Sequence, residues 1–192
     1  MKRYRKAAYH PAALVESPSV GKGTRVWAFA HIMKGATIGA DGNVGDHSFI
    51  EGGARIGSRV TIKNGVSVWD GVTISDGVFI GPNAVFTNDL RPVSRSLAHD
   101  FKPTRVLDGA AVGANAVVVC GHTIGRFALV GAGTVVSRDV PDFALCYGNP
   151  GRVRGFVCVC REDLRFRGAR ARCRCGRTYR KTSGRSPRVT EA

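Results

Sequence analysis

The 192-residue chain contains no long apolar run, so neither a transmembrane helix nor a signal peptide is expected. Lys2, Arg3, Arg5 and Lys6 make the N-terminus basic, but no hydrophobic segment follows them. Acidic side chains are scarce: 14 Asp and Glu stand against 29 Lys and Arg, a formal charge of +15. The deficit is concentrated in residues 152–192, where thirteen basic residues meet three acidic ones. That segment lacks an aromatic platform or a recognition helix, so a nucleic-acid partner is not expected. The five histidines, at 10, 31, 47, 99 and 122, offer no triad for a catalytic zinc. Of six cysteines, four crowd between 158 and 175, unlike a spaced extracellular disulfide framework. A cytoplasmic location follows as the expectation.

Also missing are the apolar spacings of three and four that mark a helix and the alternation that marks a long strand. In their place an aliphatic or aromatic residue recurs every six positions. The series runs Leu14, Val20, Val26, Ile32, Ile38, Val44, Ile50, Ile56, Ile62, Val68, Ile74, Ile80, Phe86. It resumes at Val106 and continues through Val112, Val118, Ile124, Val130 and Val136. Seventeen of these nineteen anchors are Val or Ile. The fourth residue after an anchor is usually small or β-branched, as at Ala30, Ala54, Val66 and Ala116. Gly, Asn or Asp fills turn positions such as Gly35, Asp41, Gly53, Asn83 and Asn115, where tight corners need positive φ. Each hexad reads as one short strand and one corner, and three hexads close a triangular coil. The fold class is therefore all-β, a parallel β-helix of hexapeptide repeats. Just over six coils, stacked at about 4.8 Å, predict a prism about 30 Å tall.

The repeat divides the chain. Residues 1–13 read as a basic lead-in, 14–145 as the helix, and 87–105 as a protruding loop within it. Pro18 falls at a small inward position of the first hexad, which suits a cap. Phe86 and Val106 are twenty residues apart, not a multiple of six, so the register is expected to break there. Loops on rigid repeat scaffolds commonly carry function, which makes this one the best active-site candidate. The walls after Val106 are lined by small residues, including Gly131 and Ala132, and could border a groove for a long thin ligand. Trp27 and Trp69 each follow an anchor, on different walls, and suit a subunit interface or a ligand platform.

Residues 146–176 form an exit segment and a small Cys-rich tail; 177–192 read as a disordered basic extension. Cys158 and Cys160 precede Cys173 and Cys175 by a short loop, and two thiolate pairs can surround a structural zinc. The pairs are spaced by one residue where two or more is usual, and free thiols are the alternative.

The chain resembles the left-handed β-helix acyltransferases, and within them the nucleotide-sugar 3-amino N-acetyltransferases of bacterial surface polysaccharide synthesis. The resemblance covers about residues 10–155. It rests on His10-Pro11, Val26-Trp27-Ala28-Phe29-Ala30-His31-Ile32, Ile62-Lys63-Asn64-Gly65 and Trp69-Asp70-Gly71-Val72. The strongest matches are Phe79 to Asp89 and the exit Gly148-Asn149-Pro150. It implies a homotrimer with sites between prisms, acetyl-coenzyme A along the groove, and a UDP- or dTDP-linked amino sugar as acceptor. Asn88 matches the family's loop asparagine near the acceptor amine. The superfamily's usual catalytic histidine has no clear counterpart. Some members carry a similar paired-cysteine tail, although Arg161 stands here where a knuckle glycine is usual.

The reaction so implied is acyl transfer from a thioester to an amine, in which positioning supplies much of the rate. Asn88 would orient the amine, with Asp89 or His31 assisting. Glu51 and Lys63 would meet polar sugar or nucleotide groups, and Trp69 or Phe29 would pack on a ring. Arg138 and Arg152 suit the coenzyme phosphates, beside Gly131, Ala132, Asn149 and Pro150. The rival readings are acetylation of another amino or hydroxyl acceptor, a zinc hydratase on a similar prism, and a non-catalytic trimeric scaffold.

Overall fold

A computed structural model describes residues 6–95, 101–182 and 189–192. The chain winds as a left-handed prism whose anchors point inward. Three sheets form its walls; through the coils each strand pairs in parallel with the strand one coil away, and Arg152–Phe156 ends the first sheet antiparallel to Ala144–Tyr147. The first wall stacks Ala8–Tyr9, Arg25–Val26, Asn43–Val44, Thr61–Ile62, Phe79–Ile80, Ala111–Val112, Leu129–Val130 and Ala144–Tyr147. The second stacks Leu14–Val15, His31–Ile32, Phe49–Ile50, Ser67–Val68, Val85–Phe86, Val117–Val118 and Val135–Val136. The third stacks Thr37–Ile38, Arg55–Ile56, Val72–Ile74, Thr104–Val106 and Thr123–Ile124, and is lengthened by bridges from Ile38 to Val20 and from Ile124 to Val140.

Anchors meet anchors across each rung: Val26 faces Val44, Ile32 faces Ile50, and Ile56 faces Ile74. From Val26 onward the anchors are buried, most of them completely. Each such aliphatic side chain contributes about 1.5–3 kcal/mol by leaving water, which no coil could gain without its neighbours. The corners hold left-handed residues as expected, including Asp41, Asn83, Asn115 and Gly35. Phe29, His47, Arg59 and Phe127 do the same without being Gly, Asn or Asp. The Gly that follows many anchors has a different cause. A Cβ on Gly113 would lie 2.5 Å from the Ala132 nitrogen, and one on Gly81 2.6 Å from that of Ala114. Close stacking of coils therefore requires glycine there, whatever a groove binds.

Four expectations about the two ends of the prism are corrected. Leu14 is not an anchor: it is 55% exposed, and Val15 pairs with the anchor Ile32. The first hexad is one residue short, so Ser17, not Pro18, takes the small inward position and donates to the Ala36 carbonyl at 2.6 Å. The lead-in already builds wall, because Ala8–Tyr9 pairs with Arg25–Val26. The wall likewise outlasts position 145, with Cys146 as the buried partner of Val130. Neither end shows an aliphatic anchor, which is why the six-residue count stops short of both.

The register is not lost at the loop. Val106 stacks on Ile74 and Val118 on Phe86, so no coil is missing. Twenty residues fill the place of one hexad at a single corner between the second and third walls. Residues 104–105 belong to the third wall, which narrows the loop to 87–103. Residues 96–100 of that loop lie outside the described residues. Lastly, 177–192 is not a disordered extension where it is described. Thr178–Lys181 pairs antiparallel with Arg170–Arg172 and Val189–Glu191, with Tyr179 and Val189 buried; residues 1–5 and 183–188 lie outside the described residues. Among the described residues no helix is long and apolar enough to cross a membrane.

Candidate active site

The loop stands on two backbone links. Lys102 N–H donates to the Asn88 carbonyl at 3.0 Å, and Asp89 bridges Phe101 antiparallel. Arg91 N–H donates to the Asp89 carboxylate at 2.8 Å, a turn that bends the chain outward. The Thr87 hydroxyl accepts from Cys120 N–H at 3.0 Å, tying the foot to the coil beyond. Asn88 and Asp89 are half-buried at this foot.

The second wall leads up from there by aromatic contacts. The Trp69 indole donates to the Phe86 carbonyl at 2.7 Å, and its ring lies 5.6 Å from Phe49. Phe49 in turn meets His31 edge-on at 5.4 Å. His31 Nε2 is 3.4 Å from the Glu16 carboxylate. Trp69 is thus half-buried and tied by its N–H, unlike Trp27, which is 44% exposed on the first wall and donates to Asn43. The ladder also separates two candidates. Ile32 and Phe86 are three rungs apart on the second wall, about 14 Å at sheet spacing. Within one subunit His31 does not share a site with Asn88.

Glu51 lies on the loop side of the second wall, where its carboxylate accepts from Asp70 N–H at 2.8 Å. Phe29 and Lys63 lie toward the opposite edge on coils two rungs apart, and Phe29 packs against His47 with ring centroids 4.9 Å apart. Both are exposed. His122, an unusual inward residue, is half-buried with its Nδ1 3.7 Å from the Asp139 carboxylate.

The coenzyme candidates meet at the C-terminal end. The exit loop closes on the second wall: Val135 N–H donates to the Gly148 carbonyl at 3.1 Å, and Gly151 N–H to that of Val135 at 2.8 Å. The turn between them carries Asn149 and Pro150, joined by a cis peptide bond, and Asn149, Pro150 and Ala132 are exposed. Arg138 and Arg152 are both within electrostatic reach of Cys146. Burial pushes that thiol up from its ordinary range, and the two guanidinium groups, Arg152 more than Arg138, pull it back. Arg138 follows Val136, two rungs below Phe86 on the same wall. About 10 Å of wall therefore separates the loop foot from the rung that Arg138 follows.

The four tail cysteines come together. Their Sγ atoms all lie within 4.8 Å of one another, with Cys158–Cys175 and Cys160–Cys173 each at 3.5 Å. Two contributors escaped the sequence reading. Arg161, read as a departure from a knuckle, adopts φ 76° and donates to the Phe127 carbonyl at 3.0 Å and to that of Gly109. The Tyr179 hydroxyl lies 3.0 Å from Cys158 Sγ. A non-glycine residue after a Cys pair was the only signal of the first; nothing in the spacing marked the second.

The chain belongs to the hexapeptide-repeat β-helix acyltransferases and is related to the nucleotide-sugar N-acetyltransferases. Residues 53–88 match the family model "Bacterial transferase hexapeptide (six repeats)". The dTDP-3-amino-3,6-dideoxy-alpha-D-galactopyranose 3-N-acetyltransferase of Aneurinibacillus thermoaerophilus is 51% identical over 175 residues, 91% of either chain. PerB of Caulobacter crescentus, solved with CoA and GDP-perosamine, is 30% identical at a TM-score of 0.51. That alignment covers 80% of this chain and 58% of PerB. The acetyltransferase domain of PglB from Neisseria gonorrhoeae, solved with acetyl coenzyme A, shares the fold at 23% identity and a TM-score of 0.54, over 78% of this chain and 58% of that one.

Proposed function

We propose that the protein transfers the acetyl group of acetyl-coenzyme A to the 3-amino group of a dTDP- or UDP-linked amino sugar. The observation that carries the reading is the single interruption of the prism. Asn88 and Asp89 root that loop beside Trp69; Arg138 follows the same wall two rungs below, and Arg152 begins the strand that pairs with Ala144–Tyr147 on the first sheet. The name of the relative at 51% identity supports dTDP and a 3-amino-3,6-dideoxyhexose as the first acceptor to try.

The chemistry asks little of the protein. An unprotonated amine attacks the thioester carbonyl, the C–N bond forms, the C–S bond breaks, and the departing thiolate takes the proton. Asn88 orients the amine through its side-chain carbonyl, and Asp89 braces the loop. Trp69 packs against the sugar or base, and Glu51 and Lys63 serve polar groups. Backbone N–H groups stabilise the oxyanion. Arg152 and Arg138 take coenzyme phosphates, which guanidinium matches in shape and charge.

The working unit in this reading is a homotrimer in the cytoplasm. Exposed apolar side chains on two walls support it: Trp27 and Phe79 on the first, Leu14 and Val85 on the second. The test is a thiol-release assay with acetyl-coenzyme A and a panel of dTDP- and UDP-linked 3-amino sugars, 4-amino sugars and hydroxyl sugars. Turnover confined to 3-amino acceptors is expected. Preference for a hydroxyl or 4-amino acceptor would overturn the reading.

A further inference from the structure

We propose that Cys158, Cys160, Cys173 and Cys175 bind one zinc ion as four thiolates, and that this metal folds the tail into the cap that closes the C-terminal end of the prism. The inference does not depend on which acceptor the enzyme uses.

The sulfur positions already approximate the ligand shell. Zn–S bonds of about 2.3 Å place tetrahedral sulfurs about 3.8 Å apart. Here the shortest pairs are at 3.5 Å and every pair is within 4.8 Å. The backbone is arranged for ligation independently of those distances. Each Cys-x-Cys pair ends on a left-handed residue, Arg161 at φ 76° and Gly176 at φ 92°. In each, the N–H of that residue donates to the carbonyl of the first cysteine: Arg161 to Cys158 at 2.8 Å and Gly176 to Cys173 at 3.0 Å. The two halves are conformational copies facing one another.

Charge and size point the same way. A zinc ion with four thiolates carries two net negative charges. It would sit in the most basic part of the chain, with an Arg177 guanidinium nitrogen 3.5 Å from Cys175 Sγ. Binding forms four Zn–S bonds and releases the thiol protons to water, with no change of oxidation state. The tail alone buries little beyond Leu164, Ala171, Tyr179 and Val189. A unit this small needs a metal or an equivalent link to fold.

The cap function follows from what the folded tail covers. Solenoid ends must be closed. Phe127 stacks on Phe143 at 5.5 Å, and Phe143 meets Tyr179 edge-on at 5.4 Å. Val157 N–H donates to the Phe143 carbonyl at 2.7 Å. Arg161 joins the cysteine turn to the prism, its guanidinium reaching the carbonyls of Phe127 and Gly109. The metal holds the turn; the turn aims Arg161.

The test uses the full-length protein purified reduced and without chelator. Elemental analysis and native mass spectrometry should find one zinc per chain. Cobalt replacing that zinc should give the absorption of a tetrahedral tetrathiolate. Cys160→Ser and Cys175→Ser, both exposed positions chosen to spare the core, should lose the metal, and Cys120→Ser should keep it. Arg161→Ala should retain one zinc yet lose hydrogen-exchange protection at Val157 and become more sensitive to protease between 160 and 182. Reduced wild-type protein that takes up neither zinc nor cobalt would overturn the proposal. So would tail cysteines found as two disulfides, or zinc retained in both serine variants. Unchanged protection in Arg161→Ala would overturn the capping role alone.

Discussion

Inside the prism the second and third walls are interchangeable. Ile50 and Ile74 are buried to the same degree and stack on identical neighbours one coil away. Outside they differ. The third wall presents Thr37, Arg55, Thr73, Arg105 and Thr123. The second presents Leu14, His31, Phe49, Ser67, Val85, Val117 and Val135, with Trp69 alongside and the Asn88 loop at its edge. The inward residue of each rung is dictated by stacking, so walls cannot differ there. The outward residue is free of that constraint, and an apolar outward face signals something other than solvent. The proposed chemistry lies along the wall that departs from polarity.

Substitution of the shared interior should erase the difference between the walls. Ile50→Ala and Ile74→Ala should each lose about 2–5 kcal/mol, in line with cavity formation in tight cores. Equilibrium denaturation of the two variants checks this, and a large inequality would mean the walls are not equivalent inside. Activity should separate them. Asn88→Ala should lower kcat/KM about a hundredfold, the scale of losing one positioned polar contact to the reacting groups. An effect within threefold with the true acceptor would remove Asn88 from the site.

Assembly offers a sharper contrast. Val85→Glu places a charge on the apolar face and should convert the proposed trimer to smaller species in sedimentation; Thr37→Glu on the third wall should not. At the C-terminal end of the prism, Arg152→Ala should raise KM for acetyl-coenzyme A about tenfold, as expected for one charge-assisted phosphate contact, with kcat little changed. Smallest of all, Thr37→Glu should alter stability by no more than about 0.5 kcal/mol, as for an ordinary surface change.

Much of the wall was legible because close stacking leaves one solution per position. Ile32, Val44 and Val118 had to be aliphatic, and Gly113 had to lack a side chain. The ends were not legible. Tyr9 and Cys146 occupy rungs without an aliphatic anchor, and one missing residue moved the first hexad from Leu14 to Val15. The loop was found because it violates the period, while its true extent depended on Thr104 pairing with Val72 across the insertion. His31 was a reasonable helper by residue type; three rungs of wall separate it from Asn88, and no spacing rule measures that distance.

The six-residue period by itself determined that this chain is a stacked prism and where its one interruption begins. A side chain packed on its own copy one coil away is specified by local order alone. The tertiary structure decided what lies together across unlike segments: Trp69 on the Phe86 carbonyl, four sulfurs from two turns, and Arg161 on the prism. Those contacts join residues whose separation follows no repeat, so only the folded path of the chain could bring them into register.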